Sequence, residues 1–252
     1  MKTLVLIPTY NERDSLPPLV AELMAIPGIE AMIIDDGSPD GTGQVADGLS
    51  KAHPGRVGVM HRTGTRGLGR SYADGFRHAV STDADLVVQM DADGSHDPRY
   101  LPAMLAAAAD ADVVVGSRYL RGISVVNWPL RRIILSSFAN RYSRRITGLA
   151  VHDCTAGFRC WRREALARMP IDRLVSDGYA FQVEVTFLAA HLGLRIVETP
   201  IIFVERREGA SKLSWRVVFE GVFTPWRLIL RHGRLRARAA RDAGYNSRGA
   251  TR

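Results

Sequence analysis

Short runs of aliphatic and β-branched residues alternate with helical patterns along the first 120 positions of the chain. The runs that predict strands span 3–7, 31–34, 57–61, 86–90 and 113–115. Helical patterns begin near Ser15, Gly41, Gly69 and Pro98. Strands that alternate with helices through short loops are typical of a mostly parallel sheet covered on both faces. The sequence therefore predicts an α/β fold with a central sheet flanked by helices.

The composition is that of a folded protein without disulfides or membrane-spanning segments. The 252 residues are 46% hydrophobic and 24% charged, which argues against disorder. Cys154 and Cys160 are too few for a disulfide framework or a zinc site, which favours a reducing compartment. The apolar run at the N-terminus is too short for a signal peptide, and no transmembrane helix is expected.

The positive charge is concentrated in two zones. Residues 118–145 contain seven arginines and no acidic residue, and residues 227–252 contain eight arginines and one acidic residue. Such patches attract phosphate-bearing substrates, anionic lipid or nucleic acid. There is no RNA-binding module and no pattern of stacking aromatics beside the arginines, so no specific nucleic-acid partner is expected.

Polar clusters follow the predicted strands, at 8–12, 35–42, 91–97 and 117–118. In open α/β sheets, ligands bind beyond the carboxyl ends of the strands. We therefore expect these clusters to converge on one site.

Asp91 and Asp93 come directly after the fourth predicted strand. Two carboxylates one residue apart can share a divalent cation, which would neutralise the charge of a leaving diphosphate. The alternative is a solvated Asx turn, which is common after strands.

The segment 35–42 contains the adjacent carboxylates Asp35 and Asp36. One of them could accept hydrogen bonds from a nucleobase or ribose, and the alternative is a turn followed by a helix cap. The glycine-rich segment 64–70 lacks the ending of a phosphate-binding loop and is interpreted as a flexible loop that opens a helix.

Two further stretches have apolar residues at helical spacing. The first stripe comprises Leu130, Ile134, Phe138, Tyr142 and Ile146, and the second lies between Trp215 and Leu230. Each stripe has basic neighbours, as in helices that lie in a membrane interface, although most amphipathic helices pack on their own core. A buried helix is predicted over 179–192 and a strand over 195–204.

The ordered set of motifs resembles the family-2 inverting glycosyltransferases, whose fold is called GT-A. The motifs that carry this resemblance are Pro8-Thr9-Tyr10-Asn11-Glu12, Asp35-Asp36-Gly37-Ser38, Gly67-Leu68-Gly69, Asp91-Ala92-Asp93 and Gly116-Ser117-Arg118-Tyr119. Three downstream segments resemble the polyprenol-phosphate (dolichol-phosphate) mannosyltransferases, namely 127–129, 153–159 and 205–213. The resemblance covers roughly residues 2 to 215.

This resemblance implies roles for individual residues. Pro8, Tyr10, Glu12 and Asp36 would contact the nucleoside. Asp91 and Asp93 would hold Mg²⁺ or Mn²⁺ and, through it, the donor diphosphate, and Ala92 between them would belong to the nucleotide-sugar site. The phosphates would be surrounded by Arg118, Arg131, Arg206 and Lys212. The acceptor side would include Asp153 and Thr155. Ser95 stands where archaeal members carry a Gln metal ligand, so the third ligand is left open among Ser95 itself, His96 and water.

The resemblance also implies an activity. The chain would transfer mannose from GDP-mannose to a polyprenyl monophosphate, with inversion, on the cytoplasmic face of the membrane. It would attach peripherally to the membrane surface or through a separate membrane-anchoring protein. Two alternatives stay open: transfer of glucose or N-acetylhexosamine from a UDP-sugar, and a catalytically silent scaffold.

The expected organisation is a catalytic domain over 1–212 with an interface helix at about 128–146. An amphipathic helical region over 213–238 and a disordered basic tail over 239–252 would follow it.

Overall fold

A computed structural model describes residues 1–204 and 215–233, except for the side chains of 215–220. The strands are β1 (Thr3–Thr9), β2 (Ile29–Asp35), β3 (Val57–His61), β4 (Leu86–Gln89), β5 (Val113–Ser117), β6 (Val125–Val126), β7 (Arg159–Arg162), β8 (Ile196–Pro200) and β9 (Phe203–Val204). The α-helices are α1 (Leu16–Met24), α2 (Thr42–Ala52), α3 (Leu68–Val80), α4 (Leu101–Ala107), α5 (Leu130–Thr147), α6 (Arg163–Ala167), α7 (Gly178–His191) and α8 (Trp215–His232).

The central sheet has the strand order β3-β2-β1-β4-β7-β5-β8 in the part of the chain that is described. All neighbouring pairs are parallel except those of β7, which runs antiparallel to both β4 and β5. The predicted α/β fold with a mostly parallel sheet is therefore confirmed. The strand β7 was not predicted, because its four residues include two arginines and carry no apolar alternation.

Two hydrophobic layers hold the sheet between helices. On one face, Tyr72 and Phe76 of α3 pack with Phe181 of α7 and Trp161 of β7. The other face is covered by α1 and α4, whose apolar residues include Leu16 and Met104. With both faces covered, the edge at the carboxyl ends of the parallel strands is left for the polar loops.

Most predicted elements are confirmed, and one strand differs. The buried helix predicted over 179–192 is α7, but the strand predicted over 195–204 is divided into β8 and β9, and β9 pairs with β6 in a separate two-stranded sheet. Ser15 lies at the N-cap position of α1 without capping it, because its hydroxyl donates to Glu12 Oε2 at 2.7 Å.

The helix α5 places polar residues inward and apolar residues outward. Asn140, Ser143 and Thr147 are its buried residues. Leu130 and Phe138, from the predicted apolar stripe, are 70% and 63% exposed. Packing of this part of the stripe on the protein's own core, one of the two interpretations, is therefore wrong.

The helix α8 also has an exposed apolar side. Phe223, Trp226 and Leu230 are exposed, whereas Leu228 and Thr224 are buried. No helix within the described ranges is long and apolar enough to cross a membrane. The tail predicted over 239–252 lies outside the described residues.

Candidate active site

The Asp91-Ala92-Asp93 segment leaves the sheet just after β4, with both carboxylates at the polar edge. The Asp91 N–H donates to His96 Nδ1 at 2.9 Å, and the Tyr72 hydroxyl lies 3.2 Å from Asp91 Oδ1. Asp93 Oδ1 accepts the Ser95 N–H at 3.0 Å. An Asx-type contact is therefore present at Asp93, while Asp91 is held by contacts from other parts of the chain.

The chemistry of these residues fits a hard divalent cation, although no group of three or more His, Cys, Asp and Glu side chains is found among the described residues. His96 Nδ1 already accepts the Asp91 N–H, so the proton of the neutral ring is on Nε2, which cannot then bind a metal. That nitrogen lies 3.9 Å from Asp91 Oδ2. His96 is therefore unsuitable as the third ligand.

Ser95 is the better oxygen donor at this position. Its side chain is 2% exposed, and its hydroxyl has no hydrogen-bond partner in the described part of the chain. A buried hydroxyl without a partner is costly unless water or an ion satisfies it. Two carboxylates with a nearby hydroxyl thus suit Mg²⁺ or Mn²⁺ that keeps several waters.

Tyr72 is a buried neighbour of Asp91 that the sequence did not indicate. Burial, together with the charge of Asp91, raises the pKa of Tyr72 well above 10. The phenol therefore stays protonated and remains a hydrogen-bond donor at neutral pH.

Asp36, after β2, is held by a buried network. Arg62 Nη1 makes a short contact with Asp36 Oδ1, Arg62 Nε lies 2.6 Å from Asp74 Oδ2, and the Gly67 N–H donates to Asp36 Oδ2 at 2.8 Å. Asp35 and Asp36 are adjacent carboxylates that repel each other. The Arg62 guanidinium supplies a positive charge beside Asp36 that offsets this repulsion. Asp36 is 7% exposed and braces the loop that opens α3.

The loop that follows β1 contacts the same region. The Glu12 N–H donates to Thr42 Oγ1 at 2.9 Å. Arg66 Nη1 donates to the Tyr10 hydroxyl at 2.8 Å, and its guanidinium lies 4.8 Å from the centre of the Tyr10 ring. Pro8, which begins the same motif, lies within β1 beside Ile34. The structure thus brings the predicted nucleoside residues to one edge.

The glycines of the 67–69 segment are explained by close packing against the loop before α7. A methyl group at Gly69 would lie 2.4 Å from the Ser176 carbonyl oxygen. The Gly69 N–H donates to Asp177 Oδ1 at 2.7 Å. This segment, interpreted from the sequence as a flexible loop, is therefore tied to both Asp36 and Asp177.

Arg118 lies at the centre of a buried ion pair. Its Nε and Nη2 atoms each lie 2.7 Å from an oxygen of Asp153, and Nη2 also donates to Thr155 Oγ1. The rings of Tyr119, Trp128 and Phe203 surround the guanidinium at 5.4–5.6 Å. Burial opposes ionisation of Asp153, but Arg118 offsets it and holds the carboxyl pKa below 3.8.

This pairing changes the roles expected for Arg118 and Asp153. Asp153 is fully buried, and both of its oxygens accept hydrogen bonds within the protein. Asp153 is therefore not available to contact an acceptor phosphate. The Nε and Nη2 atoms of Arg118 are used to hold the chain near residue 118 against the segment at 153–155. Thr155, by contrast, reaches a groove.

An apolar groove of about 160 Å³ lies between α5, α7 and α8. Its lining residues include Trp128, Arg132, Phe138, Thr155, Tyr179 and Val222. Arg132 lines the groove and stacks on Trp128 at 4.1 Å, whereas Arg131 is exposed and is not part of the lining. The groove wall is mostly apolar, with Arg132 and several hydroxyl-bearing residues among its lining. The Thr155 hydroxyl already accepts from Asn140 Nδ2 and donates to Asp153 Oδ1.

The groove approaches the Asp91 carboxylate through a short segment. Thr155 lines the groove, and a methyl group at Gly157 would lie 3.4 Å from Asp91 Oδ2. Two residues of extended chain span about 7 Å at most, so the two parts adjoin. Arg206 and Lys212, also predicted for the site, lie outside the described residues.

Several site residues escaped prediction because their partners are far away in sequence. Arg62 and Asp177 are examples, and neither stands in a recognised motif. The only sequence signal for Asp177 was its place just before the predicted buried helix.

The chain is similar in sequence and in fold to known proteins. The family model described as "Glycosyl transferase family 2" matches residues 4–169. A polyprenol monophosphomannose synthase of Mycolicibacterium smegmatis is 48% identical over 88% of this chain and 84% of its own. An undecaprenyl-phosphate mannosyltransferase of Micrococcus luteus is 46% identical over 94% of this chain and 99% of its own.

Solved structures with low sequence identity share the fold. Mannosyl-3-phosphoglycerate synthase from Rubrobacter xylanophilus has a TM-score of 0.65 at 19% identity, covering 94% of this chain and 76% of that one. Glucosyl-3-phosphoglycerate synthase from Mycobacterium tuberculosis, crystallised with Mn²⁺, UDP and glucosyl-3-phosphoglycerate, has a TM-score of 0.63 at 17% identity. The match covers 92% of this chain and 80% of that one.

Proposed function

The chain belongs to glycosyl transferase family 2 and is a glycosyltransferase, and from this premise we propose that it transfers mannose from GDP-mannose to a polyprenyl monophosphate. The observation that carries the proposal is the junction of two unlike sites. An acidic sheet edge around Asp91 adjoins an apolar groove whose wall carries Arg132 and Thr155. A charged sugar donor and a lipid phosphate require these two environments side by side.

The names of the two bacterial relatives support the acceptor and the sugar. Both names describe a polyprenyl-type phosphate and mannose, and each relative is aligned over most of its length. The choice of GDP as the nucleotide is our extension, since neither name states it.

The donor would lie at the sheet edge. Pro8, Tyr10 and Glu12 of the first loop, with the region braced by Asp36, would hold the nucleoside. Asp91 and Asp93 would hold Mg²⁺ or Mn²⁺, with Ser95 as a further oxygen donor, and this cation would neutralise charge on the diphosphate.

The acceptor would lie in the groove, with its prenyl chain against the apolar wall and its phosphate towards Arg132, near Thr155, whose hydroxyl proton is donated to Asp153. A guanidinium binds phosphate through a planar fork of donors. We assign to Arg132 the phosphate contact that the sequence suggested for Arg131. Arg206 and Lys212 remain proposed phosphate ligands on the basis of their motif alone.

Catalysis would rest on alignment and charge stabilisation. A phosphate monoester is ionised at neutral pH, so its oxygen attacks the anomeric carbon without a strong general base. The bond from that carbon to the donor diphosphate breaks as the new bond forms, on the opposite face, and the configuration inverts. Holding both anions in line supplies the main rate advantage.

The protein would act peripherally on the cytoplasmic face of a membrane, where a prenyl acceptor resides. The outward apolar residues of α5 and α8 would enter the interface, and the arginines of α5 would attract anionic headgroups. A separate membrane-anchoring protein would be an additional means of attachment. Residues 1–212 would form the catalytic domain, and 213–238 would belong to the membrane-facing region.

Transfer of labelled sugar from a panel of nucleotide-sugars to a short polyprenyl phosphate tests the proposal. We expect label in the organic extract only with GDP-mannose and a divalent cation. Transfer only from UDP-glucose or a UDP-N-acetylhexosamine would replace the donor and keep the fold and acceptor. No transfer from any donor, with no metal-dependent nucleotide binding by calorimetry, would favour the silent scaffold.

A further inference from the structure

The side chain of Tyr72 reaches Asp91 from inside the protein. Tyr72 is 0% exposed, and its hydroxyl lies 3.2 Å from Asp91 Oδ1. Its ring stacks on Phe181 at 5.7 Å with an interplanar angle of 5°, and it also packs on Phe76 at 6.0 Å. The ring is thus clamped between α3 and α7, and the hydroxyl cannot turn away from the carboxylate.

Other contacts fix the rest of Asp91. Its N–H donates to His96 Nδ1, which anchors the backbone at this point. Its second carboxylate oxygen, Oδ2, faces the space beside Gly157, where a methyl group would lie 3.4 Å away. The Asp91 side chain is 29% exposed, so part of it is accessible from the polar edge.

We propose that Tyr72 is a positioning residue that occupies Asp91 Oδ1 and thereby presents Oδ2 to the divalent cation. This inference rests on the proposed metal-binding role of Asp91. A carboxylate with both oxygens unoccupied can rotate and bind a cation through either or both of them. A rigid phenol on one oxygen restricts the carboxylate to one orientation.

The substitution Tyr72→Phe removes only the hydroxyl and keeps the ring between Phe181 and Phe76. Asp91 then loses its buried donor, and we expect its orientation to become less defined. Loss of a partner that orients a metal ligand typically weakens metal binding about 10- to 100-fold. We expect about a tenfold effect, because a single hydrogen bond is removed.

Calorimetry of GDP binding at a series of MnCl₂ concentrations would test the role of Tyr72. The readouts are the MnCl₂ concentration that gives half of the metal-dependent gain in GDP affinity, and the GDP affinity in EDTA. For Tyr72→Phe we expect the first value to rise about tenfold and the second to stay unchanged. A structural defect would instead weaken both.

The matched control is Tyr100→Phe, which removes a hydroxyl whose partner is the Ile202 N–H, at 3.1 Å, rather than Asp91. It should leave both values unchanged. Equal metal dependence of Tyr72→Phe and the wild type would overturn the positioning role while the metal assignment stands. A metal-dependent gain in the wild type with UDP and not with GDP would replace the nucleotide, and the comparison with Tyr72→Phe would then be made with UDP. Absence of a gain with both nucleotides would overturn the metal assignment and the Tyr72 role together.

Discussion

The sheet edge and the helix α5 use polar and apolar side chains in opposite ways. At the edge, Asp36 and Asp91 are partly or wholly enclosed and are held by donors from α3 and its preceding loop. On α5, polar Asn140 is buried while apolar Phe138 is 63% exposed. Contacts at the sheet edge hold charged side chains in place, whereas α5 leaves apolar surface exposed to a ligand or lipid.

This difference predicts which substitutions should affect chemistry, stability or membrane binding. Buried charge is costly unless it is paired, so changes at the edge and at the Arg118 pair should be severe. Exposed apolar residues contribute little to folding, so changes on α5 should leave the free energy of unfolding almost unchanged.

The largest effect is expected for Asp93→Ala. Loss of a metal ligand should remove several kcal/mol of charge stabilisation, which corresponds to about a 1,000-fold lower kcat. Turnover should be measured with saturating Mn²⁺, and the fold should be checked by circular dichroism. Near-normal activity of a folded variant would remove Asp93 from the metal site.

The next effect concerns the Arg118–Asp153 pair. Asp153→Asn should leave a buried guanidinium without its counter-charge and destabilise the protein by about 3–5 kcal/mol. Urea denaturation of the variant and the wild type measures this difference. The double variant Arg118→Met with Asp153→Asn is the control, and it should recover part of the loss because no unpaired charge remains.

The same pair predicts a pH dependence. The pKa of Asp153 in the folded protein lies below 3.8, so its carboxylate stabilises the fold at higher pH. As the pH falls, Asp153 takes up a proton in the unfolded chain before it does so in the folded protein. The contribution therefore decreases and is lost once the pH falls through the folded pKa. The difference in free energy of unfolding between the wild type and Asp153→Asn should be constant above pH about 5 and narrow below it. A gap that widens in acid would contradict the assigned shift.

A smaller effect is expected at Asp177, which fastens the segment before α3 to α7. Asp177→Ala removes the acceptor for the Gly69 N–H and should raise the KM for the donor about tenfold, the equivalent of one charge-assisted hydrogen bond. Asp177→Asn keeps an acceptor oxygen but loses the charge, so the KM for the donor should rise less than in Asp177→Ala. Steady-state kinetics with varied donor would show the contrast; a change in kcat alone would point to another role.

The smallest effect on folding is expected for Phe138→Ser on α5. Because the side chain is mostly exposed, the free energy of unfolding should change by less than about 0.5 kcal/mol. Flotation with anionic liposomes should decrease severalfold. Ala139→Ser is the control, since it introduces the same serine side chain at the neighbouring position without removing a large apolar one. Undiminished flotation of Phe138→Ser would exclude this face of α5 from the membrane contact.

Strong local patterns made much of the fold predictable. The strands β1 to β5 come from continuous apolar runs, and α7 comes from a long apolar stretch. The strand β7 was missed because its burial depends on β4 and β5 on either side, which no local pattern records. The orientation of α5 was undecided for the same reason, since an apolar stripe does not state which way it faces.

The candidate site was predictable where residues form motifs and unpredictable where they act across the fold. Asp91 and Asp93 stand in a recognisable strand-end pattern. Tyr72 contacts Asp91 across 19 positions, and Gly69 contacts Asp177 across 108. The distinction between Arg131 and Arg132 also required coordinates, because neighbouring helical residues point about 100° apart.

The reversed polarity of α5 has a thermodynamic consequence. Unfolding α5 in water would expose little new apolar area, since much of that area is already hydrated in the folded protein. Its local unfolding should therefore carry a small heat-capacity change and depend weakly on denaturant. Backbone amides of α5 should exchange with solvent at a lower free-energy cost than those of β1 or β4.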